Sequence, residues 1–199
     1  MLHGLGDSGA GWEFLARELS AELPHTAFVF PHAPQRPISR FDGQRSAAWF
    51  DISAIPGQAD RQGLMDSLRY VEGLLEEQAA QGVPLQRIVV GGFSQGGAVA
   101  LLALRSRLRV AGVLALSAFV PLPDDAPLVS DANAATPILM CHGDADSMIT
   151  LERAQRSVEG LRRSAALLDF RVYDGLAHNV NSEEMEDVRQ FLRSRLAQE

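Results

Sequence analysis

Two patterns of apolar residues alternate along this chain. The first is a set of short, nearly unbroken runs at residues 27–30, 88–91, 110–116, 138–141 and 170–173. Each is β-branched or aromatic, and most are bounded by glycine or proline, so each predicts a strand. The second is a repeat every three or four positions. Over residues 12–23 it brings Phe14, Leu15, Leu19 and Leu23 near one face, and over 64–81 it does the same for Leu64, Leu68, Val71, Leu74 and Leu75. Residues 151–166 and 182–196 behave likewise, and 98–106 is helix-forming; all predict helices. Asn181 or Ser182 can cap the last helix, with Glu183 and Glu184 in its positive first turn. Continuous apolar strands separated by helices predict an α/β architecture, a mostly parallel sheet covered on both faces. Residues 31–57, rich in proline and glycine, break the alternation. They predict a long excursion of the kind that lines functional sites.

Length and composition narrow this picture. The 199 residues, 46% of them apolar, suit a single domain over 1–199 with a substantial core. A net charge of −7 with no dense run of lysine or arginine argues against nucleic acid and against a basic membrane-binding face. The single cysteine, Cys141, excludes an internal disulfide and suits a reducing compartment, so a cytoplasmic location is expected. No apolar run approaches a bilayer's thickness, so no stable membrane insertion is expected. The opening Met1-Leu2-His3-Gly4 has glycine where a secretory leader is apolar.

The chemistry gathers where strands end. Gly92-Phe93-Ser94-Gln95-Gly96 follows the run 88–91 and precedes a helix-forming segment. A serine on so tight a strand-to-helix turn is the arrangement a nucleophile needs. A serine hydroxyl also needs a base, and the base needs an orienting acid. His178 lies just after the last predicted strand and is the first choice for base; His142, ending the run 138–141, is the second. Asp144 and Asp146 both follow that same run. Asp146, further out, can turn toward a histidine on the neighbouring loop and is preferred over Asp144. Read as ligands, His142, Asp144 and Asp146 form only a weak metal signal, and no metal is expected. The glycine-rich stretch Leu2 to Gly9 can bring a backbone amide to a reacting carbonyl beside the amide that follows the serine. It lacks the Gly-Lys-Ser/Thr ending of a nucleotide loop.

Taken together, these segments resemble the acyl-protein thioesterase / carboxylesterase (lysophospholipase-like) family of α/β-hydrolases. The matching motifs are Leu2-His3-Gly4-Leu5-Gly6-Asp7-Ser8-Gly9, Phe30-Pro31-His32-Ala33-Pro34, Trp49-Phe50-Asp51-Ile52, Gly91 to Ala98, Cys141-His142-Gly143-Asp144-Ala145-Asp146 and Tyr173 to His178, in the family's order. The resemblance implies the α/β-hydrolase fold, with Ser94 as nucleophile, His178 as base, Asp146 as orienting acid, and the amides of Leu5 and Gln95 as oxyanion donors. It implies an acyl channel near Phe119, where similar proteins often place a tryptophan, with Leu176 and the excursion that carries Trp49 nearby. It implies hydrolysis of acyl thioesters or carboxylic esters without metal or cofactor, on an acylated protein, a lysophospholipid or a small acyl ester. A general short-chain carboxylesterase is the alternative, and an inactive fragment a further one. Apolar surface around an acyl channel would support a homodimer. In similar proteins an apolar interior strand leads into the Leu-His-Gly loop; here only Met1 and Leu2 stand in its place. The chain is therefore expected to be N-terminally short, with an uncovered apolar slot beside the serine strand.

Overall fold

Four of the five apolar runs become strands. The computed structural model describes residues 1–53, 60–123, 127–164 and 167–196. In chain order the elements are α1 (Glu13–Leu19), the strands β1 (Gln35–Pro37) and β2 (Arg45–Ala47), α2 (Arg61–Ala80), β3 (Val89–Phe93), α3 (Gln95–Leu102), β4 (Gly112–Leu116), β5 (Pro137–Gly143), α4 (Leu151–Arg163), β6 (Leu167–Tyr173) and α5 (Ser182–Leu196). Strands β3, β4, β5 and β6 pair in that order, all parallel, while β1 and β2 form a separate antiparallel hairpin.

Strand alternation explains how the sheet is covered. Val113, Ala115, Ile138 and Met140 point to the face packed by α2, α3 and α4. Their neighbours Leu114, Leu116, Leu139 and Cys141 point to the other face, where Leu15 and Leu19 of α1 and Val188 and Leu192 of α5 cover them. Both faces are apolar because both are buried, as a parallel sheet requires. Helix α3 is enclosed on every side: all eight of its residues are buried. Of the two candidate caps for the last helix, Asn181 accepts the Glu184 amide at the start of α5 (2.8 Å). At the start of α2, Asp60 accepts the Gly63 amide (2.9 Å). Helix α4 ends at Arg163; residues 165–166 of the expected helix lie outside the described residues, as do 54–57 of the excursion.

The exception is the run 27–30, which does not join the sheet. A strand needs a partner on its hydrogen-bonding edge, and here the partner is short. Leu2 makes a single parallel bridge to Gly92, with its N–H on the Gly91 carbonyl (2.8 Å) and its carbonyl accepting from Phe93 (3.0 Å). The Met1 ammonium reaches the Val29 carbonyl (2.7 Å). Beyond that contact a cleft of about 330 Å³ separates the two segments, lined by Phe28, Val29, Val83, Ile88, Val89 and Gly91 among others.

Candidate active site

The serine turn follows from local sterics. Strand β3 ends at Phe93 and α3 begins at Gln95, so the chain reverses over Ser94, held at φ 54°, ψ −117°. A positive φ is costly for a non-glycine residue and persists only where the surroundings enforce it. Its fold partners do so here: the Ser94 amide donates to the Leu116 carbonyl (2.8 Å). A Cβ on Gly92 would lie 2.2 Å from the Gly96 carbonyl, so only glycine permits the turn to close. Ser94 thus projects from the carboxyl edge of the sheet, at the positive end of α3.

Two loops at the same edge bring the remaining groups to it. His178 Nε2 lies 2.9 Å from Ser94 Oγ, and His178 Nδ1 lies 2.7 Å from Asp146 Oδ2. Asp146 is fixed in turn, because its Oδ1 accepts the amides of Met148 and Ile149, both at 2.9 Å. Its carboxylate is fully enclosed, whereas the His178 ring keeps some exposure. The ring also packs on Phe93, with centroids 5.0 Å apart.

The second choices from the sequence take supporting positions. Asp144 is exposed and accepts the Gly175 amide (2.8 Å), tying the acid loop to the histidine loop. The Ala145 amide adds a second tie, to the Leu176 carbonyl (3.1 Å). A side chain on Gly143 would collide with that carbonyl at 1.9 Å. His142 is buried, with Nε2 2.7 Å from the Ile149 carbonyl and 3.6 Å from Asp146 Oδ2. Burial pushes its pKa down, so the ring stays neutral and braces the acid loop. His142 and Asp146 thus both hold Ile149, while Asp144 holds the histidine loop.

Leu5 lies on a turn directly beside the serine: a Cβ built on the neighbouring Gly4 would be 3.5 Å from Ser94 Cβ. Among the described residues the Leu5 amide has no hydrogen-bond partner. The Gln95 amide opens α3, where the first N–H groups have no carbonyl within their own helix. Of the residues expected along an acyl channel, Leu176 is half-buried in the histidine loop. Phe119 is nearly buried, with the Arg153 guanidinium stacked 3.6 Å from its ring centroid. Trp49 is different. It is 1% exposed and lies beneath the Leu5 loop, with its indole N–H on the His3 carbonyl. Its ring is enclosed by protein.

Glu184, expected in the first turn of the last helix, also faces the core. Its position four and eight residues before Val188 and Leu192 on one stripe of α5 marks it as core-facing. Among the described residues neither buried carboxyl oxygen has a partner at hydrogen-bond geometry, and burial, opposed in part by the Asn181 backbone and reinforced by Asp187, pushes its pKa up to about 8. Unfolded, the group titrates near 4.5. Between these values the folded protein keeps a proton the unfolded chain has lost, so stability falls as pH rises and levels off above about 8. The slope reaches at most about 1.4 kcal/mol per pH unit. His142, whose folded pKa is lowered, acts in the opposite sense only below its ordinary range near 6.5. The Met1 amine, lowered from 8.0 to about 5 by burial, also acts in the opposite sense across this window. From pH 6.5 to 8, Glu184→Gln is therefore expected to shift the slope of urea midpoint against pH upward relative to the unaltered protein. An identical slope in the two proteins would place that titration on another group.

Comparison with known proteins follows the same lines. Residues 1–196 match the family model described as Phospholipase/Carboxylesterase. The chain is 37% identical over 206 residues to acyl-protein thioesterase 1 of Yarrowia lipolytica, covering 98% of this chain and 90% of that one. The match to acyl-protein thioesterase 1 of Kluyveromyces lactis has the same identity and coverage. The crystal structure of Arabidopsis thaliana SOBER1 superposes with a TM-score of 0.90 at 28% identity, over 98% of this chain and 96% of that one. Acyl-protein thioesterase 2 of Zea mays gives 0.78 at 29% identity, over 98% and 92%. The architecture is therefore that of an α/β-hydrolase, and the protein is a hydrolase of ester bonds. The chain belongs to the phospholipase/carboxylesterase family.

Proposed function

We propose that the chain, acting as one α/β-hydrolase domain, is a serine hydrolase that cleaves acyl thioesters and carboxylic esters by two-step acyl transfer. The observation that carries this reading is the unbroken run of hydrogen bonds from Asp146 through His178 to Ser94. Ser94 Oγ attacks the acyl carbonyl while His178 Nε2 takes its proton. The tetrahedral oxyanion lies against the amides of Leu5 and Gln95. The bond to the leaving thiol or alcohol then breaks, and that group departs with the proton from His178. Water, deprotonated by the same ring, attacks the acyl-Ser94 ester; the acid is released and Ser94 Oγ recovers its proton.

The names of the relatives support an S-acylated protein as substrate, and the lining offered by Phe119 and Leu176 suits the acyl chain. A thiolate leaves more readily than an alkoxide, so thioesters ask less of the general acid. No group in this scheme requires a metal or cofactor. Among the described residues no helix is long and apolar enough to cross a membrane. The one cysteine is buried, with its thiol pKa pushed up by that burial, which fits a cytoplasmic setting. We place homodimer formation in the same reading, through apolar surface near Met148, which is 54% exposed beside the acid loop.

Chain-length profiles on p-nitrophenyl esters, run beside an S-palmitoylated peptide, test the substrate. Preferential turnover of the peptide is expected. Turnover of acetyl and butyryl esters alone would mean a short-chain carboxylesterase.

A further inference from the structure

The two oxyanion amides come from distant parts of the chain, and one of them sits in a loop with glycine on both sides of Leu5. Such a loop does not hold its own shape. Beyond its own turn bond from the Asp7 amide to the Gly4 carbonyl (3.2 Å), its main brace is the segment 47–50. On one side of Leu5 the Gly6 amide donates to the Ala47 carbonyl (2.8 Å); on the other the Trp49 indole N–H donates to the His3 carbonyl (2.8 Å). The same segment is gripped by Gln95. The Trp49 amide donates to Gln95 Oε1 (2.8 Å), and Gln95 Nε2 donates to the Phe50 carbonyl (2.7 Å). Gln95 therefore supplies one amide from its backbone, and its side chain reaches the piece of chain that anchors the other. His3 supports the loop as well: its Nε2 accepts the Ala33 amide (3.0 Å), which leaves Nδ1 to donate to the Gly4 carbonyl (2.7 Å). Ser67 on α2 holds the Trp49 carbonyl.

Core filling does not account for this pattern. A phenyl ring would serve as well for packing against His3 and Tyr70; what the indole adds is an N–H aimed at a carbonyl of the loop. Nor does an apolar helix start require a carboxamide buried to 1% exposure. We propose that Trp49 and the Gln95 carboxamide form a strut that fixes the separation of the Leu5 and Gln95 amides. Both side chains are thus positioning residues for the oxyanion. This rests on the serine acyl-transfer reading above. Donors fixed before the reaction stabilise the transition state without reorganising, so loosening the strut lowers kcat and spares KM.

The test uses Trp49→Phe and Gln95→Met, each assayed for kcat, KM and inhibition by a trifluoromethyl ketone. The hemiketal this inhibitor forms with Ser94 carries an oxyanion. In each variant kcat is expected to fall by about 10- to 100-fold, with KM changed by less than about twofold. The inhibition constant should rise by the factor kcat/KM falls, and the pH profile should not move, since Ser94, His178 and Asp146 are untouched. The double variant should lose little more than the worse single one, as for two ends of one strut. Leu161→Val, a core change on α4, should lower the melting temperature and move none of these values. If one variant fails to fold, the other decides. Unchanged kcat and inhibition in a folded variant would overturn the strut, as would a fall in kcat with inhibition unmoved. A wild-type protein that forms no hemiketal would overturn the serine reading, and the strut with it.

Discussion

Replacing Ser94 by alanine is expected to lower kcat by about 10⁴- to 10⁶-fold while leaving the protein folded. The hydroxyl makes one side-chain contact, to His178 Nε2, and it sits on a turn that the glycines around it and the Leu116 bond hold in place. Alanine keeps the same Cβ at the same positive φ, so no new strain arises. In the proposed mechanism this removes the atom that carries the acyl group, and the remaining rate would come from the two amides and substrate binding alone. Turnover of a thioester substrate and the melting temperature, measured together, check this. A variant that keeps even a tenth of the wild-type kcat would place the nucleophile elsewhere.

Asp146→Asn is expected to cost about 10³- to 10⁴-fold in kcat, leaving a small measurable activity. The geometry says why an isosteric change does so much. Two amides, from Met148 and Ile149, donate to Oδ1, so an asparagine keeps its oxygen there and turns its NH₂ toward His178 Nδ1. The ring nitrogen must then accept, its proton moves to Nε2, and the face turned to Ser94 can no longer take a proton. Asp144→Asn is the contrast. An asparagine there still accepts the Gly175 amide, so kcat should stay within about threefold, as for an ordinary surface change. Equal losses at the two positions would show that the orienting acid has been misassigned.

Much of this was visible in the residues. Strands β3 to β6 and helices α2, α4 and α5 follow patterns that local burial alone dictates. The serine turn, the acid loop and the histidine loop each follow an apolar run, so a parallel sheet necessarily delivers them to one edge. The hairpin of β1 and β2 was not visible. Gln35-Arg36-Pro37 and Arg45-Ser46-Ala47 are polar and largely exposed, with no alternation to read. The run 27–30 has the composition of a strand, yet a strand is a property of a pair, and the segment beside it meets it through the Met1 ammonium on the Val29 carbonyl.

Within the site, Asp144 and Asp146 are equivalent by type and spacing. They differ only in three dimensions, where one faces solvent and the other is enclosed by amides. The strut was hidden for the same reason. Trp49 and Gln95 lie 46 positions apart, and no periodicity links an indole N–H to a loop carbonyl. Glu184 was within reach, since its stripe with Val188 and Leu192 can be counted directly.

The most direct measurement is to treat the protein with a fluorophosphonate and locate the adduct by peptide mass spectrometry. One adduct per chain is expected, on the peptide containing Ser94, with labelling slowed severely in Asp146→Asn. An adduct on any other residue, or labelling of Asp146→Asn at the wild-type rate, would contradict a serine activated through His178 and Asp146.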